Sequence, residues 1–107
     1  METQSAITAL AALAQESRLA VFRLLLRNAP EGLTPGVIAE QLELPAPTLS
    51  FHLKTLVQAG LITAVQEGRF VRYRAETPGI NALIGFLTED CCGGNSQLCL
   101  PKGKARE

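Results

Sequence analysis

All three cysteines of the chain, Cys91, Cys92 and Cys99, fall within the single stretch CCGGNSQLC. Thiolates are soft ligands, and trivalent arsenic or antimony takes three sulfurs in a pyramid capped by a lone pair, so three thiols complete such a site without a fourth donor. Adjacent side chains on a helix diverge by about 100°. Cys91 and Cys92 can therefore converge only past a helix end, which Gly93 and Gly94 permit. Residues 93–98 form a short loop that can return Cys99 to the pair at modest entropic cost. Three other chemistries fit the same residues. Zinc would need a fourth ligand, from His52, a tail carboxylate or another subunit. A redox pair would join Cys99 to one of the vicinal thiols, activated by Lys102 and Lys104. The last alternative is a tail with no ligand.

An enzyme fits poorly. Vicinal thiols also serve arsenical reductases, but the single histidine, His52, is distant in sequence from the thiols, and there is no phosphate loop or glycine fingerprint for a cofactor. The sequence points to no organic cofactor; arsenic(III), antimony(III) or methylarsenite is what the cysteines would bind. No apolar run approaches the roughly 20 residues that span a bilayer. The N-terminus METQSAITALAALAQE lacks the basic start and cleavage site of a signal peptide. These features predict a cytoplasmic protein, in a compartment that keeps thiols reduced.

The formal net charge is zero, but it is unevenly distributed. Residues 1–45 set Arg18, Arg23 and Arg27 against Glu2, Glu16, Glu31, Glu40 and Glu43, whereas residues 46–76 set Lys54, Arg69, Arg72 and Arg74 against Glu67 and Glu76. A phosphate footprint needs such local clustering rather than global excess.

The elements that carry these residues are legible in the apolar spacing. Ile7, Leu10, Ala11, Leu13 and Ala14 predict a first helix with one apolar stripe. Leu19, Phe22, Leu25 and Leu26 predict the inner face of a second helix, opposite Arg23 and Arg27, stopped by Pro30 and Gly32. Thr34-Pro35 predicts an N-cap and first position for a short third helix that buries Val37, Ile38 and Leu42. After a tight corner, Leu49, Leu53, Leu56 and Val57 predict the core stripe of a fourth helix closed by Gly60. LITAVQ and FVRYRAE, joined at Glu67-Gly68-Arg69, predict a β-hairpin. Thr77-Pro78 predicts the start of a last helix whose Ile80, Leu83, Ile84 and Leu87 share a face.

The expected fold is mainly α with a small β-hairpin: a winged helix-turn-helix domain over residues 1–90, followed by a flexible cysteine-containing tail over residues 91–107. In such an arrangement the second helix of the pair enters the major groove of double-stranded DNA and the hairpin reaches backbone or minor groove. Thr48, Ser50, Phe51, His52, Lys54 and Thr55 are the candidates on the fourth helix, with Phe51 suited to a thymine methyl. Arg69, Arg72 and Arg74 are the candidates on the hairpin, Arg72 and Arg74 sharing one strand face. The plainer alternatives are a solvated basic edge that discourages strand addition and a His52 packed at the surface.

TALAALAQESRLAVFRLLL, LPAPTLSFHLKTLVQAGLI and EGRFVRYRA resemble the ArsR-SmtB family of bacterial metal-responsive repressors over roughly residues 6–88. The most specific run is Ser50, His52, Leu53, Lys54, Leu56, Ala59, Gly60 and Leu61. Ala46, Pro47 and Phe51 depart from the residues usual there, which bears on the operator sequence rather than on the groove assignment. The resemblance implies a homodimer paired through the first and last helices, reading an inverted repeat with recognition helices about 34–36 Å apart. Arsenic-sensing relatives often carry paired cysteines in the third helix. Here that segment is TPGVIAEQL, so the resemblance is to the subset whose arsenical site is C-terminal, at Cys91, Cys92 and Cys99. It implies a repressor that leaves its operator when trivalent arsenic binds.

Overall fold

A computed structural model describes residues 1–89. Helix α1 (Thr3–Leu13) is rich in alanine, the residue with the least entropy to lose in a helix. Its inner face is Ala6, Ala9 and Ala12, all buried, whereas Ile7 and Leu10 are exposed. Ile7 and Leu10 of the expected apolar stripe thus lie on the outer side, with Leu13 packed against the core, while the small alanines let α1 approach its neighbours closely. Helix α2 (Glu16–Arg27) is capped by Gln15, whose side chain accepts from the Arg18 N–H at 2.9 Å. Val21, Phe22, Leu24 and Leu25 are buried. Leu19 and Leu26, expected inside, are exposed on the flank that carries Arg23.

Helix α3 (Pro35–Leu42) begins at Thr34. The Thr34 carbonyl accepts from Ile38 N–H at 3.1 Å, but its hydroxyl makes no capping bond. Ile38 is fully buried, with Val37 and Leu42 half-buried. Glu43 makes the corner in the left-handed region, at φ 54° and ψ 48°. Helix α4 (Ala46–Gln58) follows at once. Its C-terminus is a Schellman turn: Gly60, at φ 79°, donates to the Val57 carbonyl at 3.0 Å, and Leu61 donates to Leu56 at 3.1 Å. The expected stop at Gly60 holds, one residue beyond the cap Ala59.

Strands β1 (Ile62–Glu67) and β2 (Phe70–Ala75) pair antiparallel, from Ile62 opposite Ala75 to Glu67 opposite Phe70. Gly68 and Arg69 make the turn. Leu33 pairs with the free edge of β2 through two backbone bonds to Tyr73, 2.9 and 2.8 Å, so the hairpin is tied to the loop between α2 and α3. Gly32, beside that pair, has φ 81°, and a Cβ there would collide with the Tyr73 carbonyl. Helix α5 (Thr77–Leu87) returns against α1. Its predicted stripe divides: Leu83 is buried and Ile80 packs against the core, while Ile84 and Leu87 are exposed. The core joins α1, α2, α3, α4, β1 and α5 through Ala9, Leu25, Ile38, Leu49, Leu56, Ile62 and Leu83, among others. The tail expected over 91–107 lies outside the described residues.

Candidate nucleic-acid interface

Helix α4 is the most exposed half of the helix-turn-helix and presents two distinct sides. Leu49, Leu53 and Leu56 anchor it in the core. Thr48, Ser50, Phe51 and Lys54 stand on the opposite side, all exposed, with Thr55 half-exposed beside them. Phe51 is 64% exposed, which is unusual for a phenyl ring on an otherwise polar face. The Thr55 hydroxyl donates to the Phe51 carbonyl at 3.2 Å. No acidic residue lies in the first turn of α4, so the positive helix N-terminus is not offset there. Val57, expected in the core, is exposed near the C-terminal end of the helix.

His52 is a correction. It was expected on the outer face, but it is 7% exposed and belongs to the core side of α4. Its Nδ1 lies 3.4 Å from an Arg18 guanidinium nitrogen. A guanidinium has only donors, so Nδ1 accepts and the ring proton sits on Nε2. Burial, then the Arg18 charge, lowers the His52 pKa below the ordinary 6.5. Position 52 lies three residues after Leu49 and four before Leu56, so the leucine stripe itself enclosed it; that signal was present in the sequence. The sequence offers Arg18 only as one of the charges of residues 1–45, with no contact role. Its Nε donates to the Ala12 carbonyl at 2.7 Å, which ties the end of α1 to the start of α2 and, through His52, to α4.

The hairpin arginines fall into two groups. Arg69 stands exposed at the turn. Arg72 and Arg74 do share a face, but both are engaged within the chain. Arg72 Nε donates to Glu67 Oε1 at 2.9 Å and its terminal nitrogen to the Gly32 carbonyl at 3.2 Å. Arg74 Nε donates to the Glu31 carbonyl at 3.3 Å, and its guanidinium lies 3.7 Å from Glu67 Oε2. These contacts brace the hairpin on the α2–α3 loop while leaving each arginine about one-third exposed or more. Cys91, Cys92 and Cys99 lie outside the described residues, and among the described residues no group of three or more His, Cys, Asp or Glu is placed to hold a metal ion. No helix among them is long and apolar enough to cross a membrane.

A tight corner between α3 and α4, a polar outer face on α4 and a braced basic hairpin define a winged helix-turn-helix DNA-binding domain. Comparison with known proteins agrees. Residues 13–65 match the family model described as a helix-turn-helix domain. The chain is 34% identical over 97 residues to the transcriptional activator HlyU of Vibrio cholerae, covering 89% of this chain and 87% of HlyU. Its fold matches an ArsR-like transcriptional regulator from Rhodococcus sp. RHA1 at a TM-score of 0.75 and 24% identity, covering 89% of this chain and 87% of that one. It also matches the homodimeric winged helix-turn-helix domain of Mb0332 from Mycobacterium bovis at a TM-score of 0.66 and 24% identity, over 89% and 82% of the two chains. The chain belongs to the ArsR family of winged helix-turn-helix transcriptional regulators, and is a regulator rather than an enzyme.

Proposed function

We propose that the chain is a homodimeric repressor that holds an inverted repeat in double-stranded DNA through α4 and releases it when trivalent arsenic, or antimony, binds Cys91, Cys92 and Cys99. The division of α4 into a buried leucine side and an exposed Thr48, Ser50, Phe51, Lys54 and Thr55 side carries the DNA reading. Lys54 and the hydroxyls suit phosphates and base edges, Phe51 suits a thymine methyl, and Arg69 extends the footprint along the hairpin. Arg72 and Arg74 add charge to that footprint while bracing its base.

What α1 and α5 leave uncovered supports dimerisation through these two helices. Ile7 and Leu10 on one and Ile84 and Leu87 on the other are exposed, and the two helices pack together in one subunit. A second copy would cover these apolar side chains, as Mb0332, a homodimer by its description, supports. HlyU is described as an activator, so the sign of regulation at a promoter is tested together with the DNA site.

The cysteines begin four residues beyond Leu87, the last residue of α5. Arsenous acid condensing with three thiols forms three As–S bonds and breaks three As–O bonds, each hydroxyl leaving as water with one of the three thiol protons. Binding at that segment, next to a subunit contact, would bias the relative pose of the two α4 helices. A coupling of about 3 kcal/mol would weaken DNA binding on the order of 150-fold, and DNA would weaken arsenic binding equally. A methylated arsenical offers only two positions to sulfur and would leave Cys99 dispensable.

Native mass spectrometry of the reduced dimer with arsenite, paired with anisotropy on a duplex selected from a random library, tests this. The expected result is one arsenic per subunit and loss of DNA binding, both abolished in Cys91→Ser and Cys92→Ser variants that still bind DNA. Absence of arsenic uptake would remove the arsenite reading and leave the DNA reader standing. Zinc uptake, or release by peroxide, would move the cysteines to the other two chemistries.

A further inference from the structure

The space between α3 and α4 is not filled. A half-enclosed cleft of about 150 Å³ opens there, with Tyr73 of β2 completing its lining. Packed interiors hold few voids larger than a water molecule, so this one has a specific origin. Gly36 and Ala39 on α3 and Ala46 on α4 line it and contribute little or no side chain. A Cβ at Gly36 would meet nothing within 4 Å, so neither its helical backbone nor its neighbours require a glycine at that position. Leu49 and Leu53, both buried, give the cleft apolar wall. Its only polar side chains are two hydroxyls, of Ser50 and Tyr73, and no ionised side chain lines it. Neither hydroxyl takes part in a side-chain hydrogen bond among the described residues. Neither is sealed from solvent, so both are open to an incoming partner.

We propose that this cleft is an effector site for a neutral aromatic molecule about the size of phenol, carrying one hydroxyl. A void of that volume accepts a benzene-sized ring. The uncharged lining selects a neutral ligand, since nothing there would offset an ion taken out of water. A ligand hydroxyl donates to one lining hydroxyl and accepts from the other, and the Tyr73 ring adds an aromatic contact. The site is separate from the cysteines. Its occupant touches both helices of the helix-turn-helix, whose relative pose sets how α4 meets DNA. Ser50 belongs both to the cleft and to the exposed outer face of α4, so ligand and DNA compete for its hydroxyl. Bound ligand therefore weakens DNA binding, and DNA weakens ligand binding equally. The effect on DNA rests on α4 as the DNA-reading helix, whereas occupancy of the cleft does not.

The test titrates the full-length chain with 4-fluorophenol, followed by fluorine NMR, with fluorobenzene as the probe that lacks the hydroxyl. One 4-fluorophenol per subunit is expected, with a Kd of about 0.1–1 mM for so small a ligand. Gly36→Leu puts a side chain into the open space and should abolish uptake while circular dichroism shows the fold intact. Tyr73→Phe should weaken 4-fluorophenol about three- to tenfold and leave fluorobenzene unchanged, a difference that a loosened fold would not produce. No saturable uptake by the wild type, or uptake that persists in a folded Gly36→Leu, would overturn the proposal. On a duplex selected by the wild-type chain, saturating 4-fluorophenol should weaken binding about tenfold. Unchanged DNA affinity at full occupancy would overturn the effector role. A chain that takes up the probe but selects no duplex would overturn the assignment of α4 instead, a result separable from loss of the cleft.

Discussion

The guanidinium of Arg18 and Nδ1 of His52 stand 3.4 Å apart across the junction of three helices. The same arginine donates to the Ala12 carbonyl at the end of α1. One side chain thus connects a helix proposed to meet the second subunit with the helix proposed to meet DNA, and it requires a neutral imidazole as acceptor.

That requirement sets a pH dependence. The folded His52 pKa lies below 6.5, so the unfolded chain binds the proton more readily than the folded one. The stabilisation is complete above the unfolded value and diminishes as pH falls from 6.5 toward the lower folded value. Melting temperature should decline between pH 7.5 and 5.5, above the range in which ordinary carboxylates titrate, and His52→Gln should flatten that decline. Thermal melts of the two proteins across the window check it; parallel curves would remove His52 as the source.

Arg18→Ala should cost about 1–3 kcal/mol in urea unfolding, because it leaves the His52 acceptor unsatisfied under cover and frees the end of α1. Arg18→Lys cannot reach both acceptors with a planar fork and should recover only part of the loss.

Two backbone positions should respond with opposite signs. Gly32→Ala places a methyl group against the Tyr73 carbonyl at φ 81° and should destabilise the chain by more than about 1 kcal/mol, loosening the hairpin. Glu43→Gly relieves a side chain held at φ 54° and should stabilise by a few tenths to about 1 kcal/mol. Denaturant midpoints at constant slope read both.

Ile7→Asp should convert a dimer to a folded monomer, since it puts a charge in an exposed apolar face at no cost to the alanine face that packs inside. Sedimentation and circular dichroism together check it. A dimer that persists would move the subunit contact away from α1.

The element order could be read from the sequence because apolar spacing, Pro35, Pro78, Gly60 and the β-branched run after it all point one way. Which side of each helix faces inward was less legible. In α1 the alanines and the larger Ile7 and Leu10 form separate stripes, and spacing alone cannot say which belongs to the subunit and which faces outward. In α4 the leucine stripe did enclose position 52, but a histidine reads as polar until its partner, 34 residues earlier in the chain, is seen beside it. The engagement of Arg72 and Arg74 by Glu67, Gly32 and Glu31 depends on register and on a distant loop, neither of which strand parity reveals. The cysteine cluster is legible only as sequence, and its chemistry rests on residue type and spacing.

The most direct measurement of the central claim compares two double variants by anisotropy on a duplex selected by the wild-type chain. Ser50→Ala with Lys54→Ala alters the outer face of α4, and Arg23→Ala with Arg27→Ala removes more positive charge from the exposed side of α2. The first pair should weaken binding at least about tenfold and lower the salt slope by about 1, while the second leaves affinity nearly unchanged. Equal losses from both pairs would show that net charge, and not the outer face of α4, holds the DNA.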